Sequence, residues 1–134
     1  MSSARILVVD DDARFLRFVT EVLTGAGYDV QGSRDPMAAG EIAQAFRPDL
    51  AILDISMPGM DGIELAKELR ASDTTSGIPL MFLTASRASE EIEDAKDSGV
   101  SAYLEKPVKS SNLLGMVRTL LEGETGRYRR PPPG

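Results

Sequence analysis

The 134 residues suffice for one domain with a real core, and 42% apolar with 27% charged content is ordinary for a soluble globular chain. A formal net charge of −6 argues against a nucleic-acid-binding surface, which would have to be basic. The chain has no cysteine, which excludes disulfides and thiolate chemistry, and no histidine, so any metal should be a hard, oxygen-ligated cation.

Arg5 is the only basic residue before Asp10, and the apolar run Ile6-Leu7-Val8-Val9 is far too short for a signal or a membrane span, so a cytoplasmic protein is expected. "RILVV" (5–9) has the length and content of a strand. In the following "ARFLRFVTEVLTGAG", Phe15, Leu16, Val19, Val22 and Leu23 recur at helical spacing, and Gly25 and Gly27 mark the end. "YDVQG" (28–32) is a short alternating strand, and Asp35-Pro36 opens a helix to about Phe46 by supplying a cap and a first-turn proline. "DLAILD" (49–54) suits a strand covered on both faces, "DGIELAKELRAS" (61–72) a helix, and "PLMFLTA" (79–85) a second buried strand. "SEEIEDAKDSG" (89–99) reads as a polar helix with glycine past its end, and "AYLEKP" (102–107) as a fifth strand stopped by Pro107. "SNLLGMVRTLLE" (111–122) is a last amphipathic helix with Ser110 or Ser111 as its expected cap. Five strands alternating with five helices predict one α/β domain, a doubly wound parallel sheet with helices on both faces. "GRYRRPPPG" (126–134) has the composition of a disordered or polyproline-type tail.

In such sheets ligands bind outside the carboxyl ends of the strands. Those ends carry Asp10 and Asp11, then Asp54, Thr84 and Lys106. Each has an ordinary explanation alone, as a helix cap, a strand end or a solvated lysine. Together they place three carboxylates, a hydroxyl and an ammonium on one edge. Two unit charges about 4 Å apart repel by roughly 4 kcal/mol at an effective dielectric near 20, so an acid cluster at the mouth of a core strand asks for a cation. Carboxylates without His or Cys suit Mg²⁺. An Asp beside Mg²⁺ can attack a phosphoryl group, while Thr84 and Lys106 can donate to its oxygens.

The segments "ILVVDDD", "DLAILDISMPGMDG", "FLTA" and "YLEKP" resemble, in order and spacing, the receiver domain of bacterial two-component response regulators, chemotaxis-regulator-like, over about residues 4–122. The resemblance implies a flavodoxin-like strand order 2-1-3-4-5 and a phosphoryl group received from a sensor histidine kinase or phosphotransfer protein. It implies Asp54 as phospho-acceptor, with Asp11 and Asp54 as direct Mg²⁺ ligands, Asp10 binding directly or through water, and Ser56 lending its backbone carbonyl. Thr84 is the implied switch hydroxyl, Lys106 the phosphate-pairing ammonium and Tyr103 the aromatic switch. The peptide before Pro107 is expected to be cis, and Pro58, Gly59 and Gly62 are expected to shape the loop after Asp54. Asp12 is expected to start a helix, a water-mediated place in the site being the alternative, and Met57 and Met60 are expected to pack the loop.

The expected protein is a signalling switch rather than a turnover enzyme. Phosphorylation would remodel the face formed by the helix over 89–99, the fifth strand and the last helix. Its output would come from an unknown partner protein or from an effector domain outside this chain, for which residues 123–134 would be the start of a linker. A phosphorylation-dependent homodimer is one form such a switch can take; direct contact with nucleic acid or membrane is not expected. Three other readings fit less well. A phosphatase of the haloacid dehalogenase type matches Asp10-x-Asp12, Thr84 and Lys106 but needs an acidic pair downstream, where only Glu122 and Glu124 stand. A receiver-like module that is not phosphorylated predicts a missing acid, Thr or Lys. A dinucleotide-binding domain requires a glycine-rich turn where Asp10-Asp11-Asp12 stands.

Overall fold

A computed structural model describes residues 3–85 and 100–122. The helix expected over 89–99 and the tail 123–134 lie outside the described residues. Five parallel strands form one sheet: β1 (Arg5–Val9), β2 (Asp29–Ser33), β3 (Leu50–Asp54), β4 (Leu80–Thr84) and β5 (Ala102–Glu105). Their order is β2-β1-β3-β4-β5, as expected. The described helices are α1 (Ala13–Gly25), α2 (Pro36–Phe46), α3 (Gly62–Ala71) and α4 (Ser110–Glu122).

Strand position explains strand composition. Every residue of the interior strands β3 and β4 is buried, and Ile6 to Val9 of β1 are too, which is why these segments read as unbroken apolar runs. The edge strands β2 and β5 alternate in exposure, since only one of their faces is well covered. Side-chain alternation divides the interior into two cores. Leu7, Val9, Ala51, Leu53 and Phe82 pack with Ala39 and Ala43 of α2 and Leu65 and Leu69 of α3. Ile6, Val8, Ile52, Met81 and Leu83 pack on the other face with Val19 and Leu23 of α1 and Leu113 and Val117 of α4. No helix among the described residues is long and apolar enough to cross a membrane.

Short polar side chains set the helix starts. Asp12 accepts from the N–H groups of Arg14 (3.0 Å) and Phe15 (3.4 Å), and Asp35 accepts from Met37 N–H (2.9 Å) with Pro36 at the first helical position. Asp61 and Glu64 form a reciprocal capping box at α3. The last helix departs from expectation by starting one residue early. Ser110 already lies inside it, and Leu113 N–H donates to the Lys109 carbonyl (3.0 Å), so neither Ser110 nor Ser111 takes the capping place. A first-turn serine costs little there, because its own N–H has no helical partner at that position in any case. β2 likewise runs one residue later than its pattern suggested, and β5 ends at Glu105 rather than at the proline.

The loop after β3 brings α3 hard against the end of that strand. Gly62 N–H donates to the Ile55 carbonyl (2.8 Å), and a Cβ on Gly62 would overlap the carbonyl oxygen of Asp54. Gly59 takes a positive φ of 88°, where an L side chain is strained. Met57 is buried in the α2–α3 core and Met60 packs against it, so both serve as loop packing. Because the obstacle at Gly62 is backbone rather than a mobile side chain, Gly62→Ala is expected to lower stability by about 1–3 kcal/mol. Urea unfolding monitored by circular dichroism checks this, and an unchanged midpoint would remove the steric argument.

Candidate functional site

The carboxyl edge of the sheet is built by five strand ends. Asp10 follows β1 directly and is fully buried. Its N–H donates to the Ser33 carbonyl (3.1 Å), its Oδ1 accepts from Asp12 N–H (2.9 Å), and its Oδ2 accepts from Lys106 Nζ (2.9 Å). Asp54, the last residue of β3, is only 4% exposed. It accepts weakly from Ser56 N–H (3.4 Å), and its Oδ2 stands 3.6 Å from Lys106 Nζ. One oxygen from each of Asp10, Asp11 and Asp54 can be chosen so that all lie within 4.8 Å of one another.

Thr84 closes β4 and is 2% exposed; its carbonyl accepts from Lys106 N–H (2.7 Å), which ties the last two strand ends together. Lys106 follows β5, and its peptide to Pro107 is cis. Tyr103 lies on β5 and is 40% exposed. Ser56 is exposed on the loop beyond Asp54, and Asp11 is half-buried. The structure therefore gathers Asp10, Asp11, Asp54 and Lys106 at one point, sets Thr84 at the adjoining strand end and leaves Tyr103 on the outside.

The electrostatics are those of a site short of positive charge. Burial, with the like charge of Asp10 beside it, pushes the Asp54 carboxyl up from 3.8 to about 7. Lys106 and the Ser56 N–H oppose the rise, and Asp11 adds to it. With all three acids ionised, three carboxylates and one ammonium leave two negative charges, the charge of one divalent cation. An all-oxygen donor set this close fits a hard ion such as Mg²⁺. No comparable group of acidic side chains occurs elsewhere among the described residues. Asp12, Asp35 and Asp61 are helix caps, and buried Asp49 sits at the opposite edge, where it accepts from Arg5 N–H (2.8 Å) and its own N–H donates to the Arg5 carbonyl (2.6 Å).

Two neighbours of the site went unrecognised in the sequence. Phe15, legible there only as an apolar helical position, places its ring 4.3 Å from Lys106 Nζ. Arg34, in the turn after β2, donates from Nε to the Asp11 carbonyl (3.2 Å). Both contacts join residues far apart in the chain, and no local spacing encodes them.

Comparison with known proteins gives the family. The family model for the response regulator receiver domain matches residues 6–118. The DNA-binding response regulator MtrA of Mycobacterium tuberculosis is 40% identical over 117 residues, which cover 87% of this chain and 50% of that protein. The DNA-binding dual master transcriptional regulator RpaA of Synechocystis is 38% identical over 117 residues, 87% of this chain and 48% of the relative. This chain thus spans about half the length of the curated relatives it matches. Among solved structures, the chemotaxis protein CheY4 of Vibrio cholerae superposes with a TM-score of 0.86 at 32% identity, covering 90% of this chain and all of that one. The receiver domain of a Pseudomonas aeruginosa sensor histidine kinase, which holds a magnesium ion in its active-site cleft, superposes at 0.82 with 27% identity, covering 89% of this chain and 98% of that one. By the family-model match, these relatives and the shared fold, the chain belongs to the response regulator receiver domain family.

Proposed function

We propose that this chain is a phosphorylation-dependent signalling switch in which Asp54 accepts a phosphoryl group from the phosphohistidine of a sensor histidine kinase or phosphotransfer protein. The observation that carries the reading is the juxtaposition of three acids with one ammonium: Asp10, Asp11 and Asp54 within 4.8 Å, and Lys106 Nζ at 2.9 Å from Asp10 and 3.6 Å from Asp54. Asp10, Asp11, Asp54 and the Ser56 backbone carbonyl would hold Mg²⁺. When bound, the ion supplies positive charge that keeps Asp54 ionised and offsets the charge on the incoming phosphoryl oxygens.

An Asp54 carboxylate oxygen attacks phosphorus and forms the new O–P bond. The P–N bond of the donor breaks, its electron pair leaves with the nitrogen, and that nitrogen takes up a proton. Lys106 turns part of its hydrogen bonding from the carboxylates to a phosphoryl oxygen, and the Thr84 hydroxyl donates to another. Tyr103 is proposed to follow Thr84 inward, which would change the face made by β5, α4 and the segment before β5. The phosphoryl group would then bias an equilibrium between two arrangements through contacts made in only one of them.

Residues 4–122 form the proposed receiver, and 123–134 a tail or the start of a linker. The output would be a partner protein, a second phosphorylated copy of the chain, or an effector domain outside this sequence; DNA binding, as in the named relatives, would belong to such a domain rather than to this acidic one. The chain would catalyse only its own phosphorylation and dephosphorylation.

Incubation with phosphoramidate should add one phosphoryl group by intact mass only when Mg²⁺ is present, and none to an Asp54→Asn variant. Uptake that is indifferent to Asp54 would end the proposal. A second expectation follows from the raised Asp54 carboxyl. A carboxyl whose folded pKa lies above its unfolded value lends stability at pH below about 3.8, and that stability is lost as pH rises to about 7. In chelator, Asp54→Asn should therefore melt above the wild type at pH 8, with the gap shrinking towards pH 4. Mg²⁺ should stabilise the wild type more than the variant. A gap independent of pH would show that Asp54 carries no electrostatic penalty.

A further inference from the structure

Lys106 makes one contact that its charge partners do not explain. Its Nζ lies 4.3 Å from the centroid of the Phe15 ring, within the range where a cation is drawn to the negative face of an aromatic system. The ammonium is thus bounded by Asp10 Oδ2 at 2.9 Å, Asp54 Oδ2 at 3.6 Å and an aromatic wall, and its side chain is only 19% exposed.

The backbone that carries the ring is itself tied to the site. Phe15 N–H donates to Asp12 Oδ1 (3.4 Å), Asp12 N–H donates to Asp10 Oδ1 (2.9 Å), and Asp10 Oδ2 accepts from Lys106. The contacts close a circuit: Lys106 to Asp10, Asp10 to Asp12, Asp12 to Phe15, and the Phe15 ring back to Lys106. Phe18, one helical turn on, packs its ring 5.9 Å from that of Phe15 at 44°.

We propose that Phe15 is a positioning residue that holds the Lys106 ammonium over the acceptor carboxylates while leaving its N–H donors free to be redirected. The reasoning turns on what an aromatic face lacks. A third carboxylate would attract the ammonium but would compete with the phosphoryl oxygens for its hydrogen bonds. An aliphatic side chain would not compete, but would exert no electrostatic hold and would leave the flexible four-carbon stem free to sample solvent. The phenyl ring attracts charge without a localised lone pair, so it narrows where the ammonium can be without fixing which oxygen it serves.

The inference rests on the proposed phosphoryl transfer to Asp54, in which the donor's P–N bond breaks as the Asp54 O–P bond forms. Its test compares wild type, Phe15→Leu and Phe15→Tyr at saturating Mg²⁺, by two readouts. The first is the rate of phosphoryl uptake from phosphoramidate. The second is the chemical shift of the Lys106 ε-methylene protons, which a ring face moves upfield. The Leu variant is expected to react about 3- to 10-fold more slowly and to lose the upfield shift, whereas Tyr keeps the shift and restores the rate. Thermal melting checks that both variants are folded. If Leu and Tyr are equally slow, Phe15 acts only through packing and the proposal falls; it also falls if Leu reacts at the wild-type rate, or if the wild-type shift is that of a solvated lysine. No uptake by the wild type would overturn the receiver reading and the positioning role with it, while the shift still reports separately whether the ring holds the ammonium.

Discussion

Lys106 is the cation on which the buried acids at the carboxyl edge of the sheet depend. Asp10 has no exposure to water, and Asp54 almost none. A buried carboxylate without a partner carries a desolvation penalty of several kcal/mol, so it must find a compensating charge or keep its proton. Lys106 serves both acids at once, from the far edge strand, with β3 and β4 lying between β5 and β1 in the sheet. One ammonium cannot offset three carboxylates, however, and burial, with the like charge of Asp10 beside it, leaves the Asp54 carboxyl raised. The same shortage of positive charge that costs stability is what a divalent cation would relieve in the proposed function.

The rest of the fold makes that shortage tolerable. Two apolar cores, one on each face of the sheet, bury the interior strands completely. Parallel strands then deliver all their carboxyl ends to one side, while Asp49 latches β3 to Arg5 at the other. Gly62 lets the start of α3 press against the Asp54 carbonyl, so the backbone of Asp54 is fixed from behind. The main-chain bonds from Asp10 to Ser33 and from Lys106 to Thr84 tie neighbouring strand ends to one another. The site is thus a cluster of unfavourable charges mounted on a frame with little freedom to relax away from them.

Much of this was legible before any coordinates. Unbroken apolar runs identified the interior strands because burial on both faces leaves no polar position in them. Asp35 followed by proline marked the start of α2, since caps act within a few residues, whereas the capping box of Asp61 and Glu64 emerged only in the structure. The edge strands and the start of α4 were less well placed, because half-covered strands and serine-rich turns carry weaker and more local signals. Family resemblance rested on four short segments in order, and the family match over residues 6–118 agrees with it.

The sequence by itself therefore determined the elements, their order and the residue types at each strand end, because these follow from periodicity, capping and hydrophobic pattern acting over short distances. Only the tertiary structure decided how closely the strand-end acids meet and how one ammonium serves two of them. Asp12, Asp35 and Asp61 became caps, Asp49 a latch at the opposite edge, and Asp10, Asp11 and Asp54 neighbours within 4.8 Å. It also decided that Phe15 should face Lys106 and that Arg34 should hold the Asp11 carbonyl. Those contacts arise where the sheet brings distant strand ends and turns together, and a charge's partner in space leaves no mark on its neighbours in the chain.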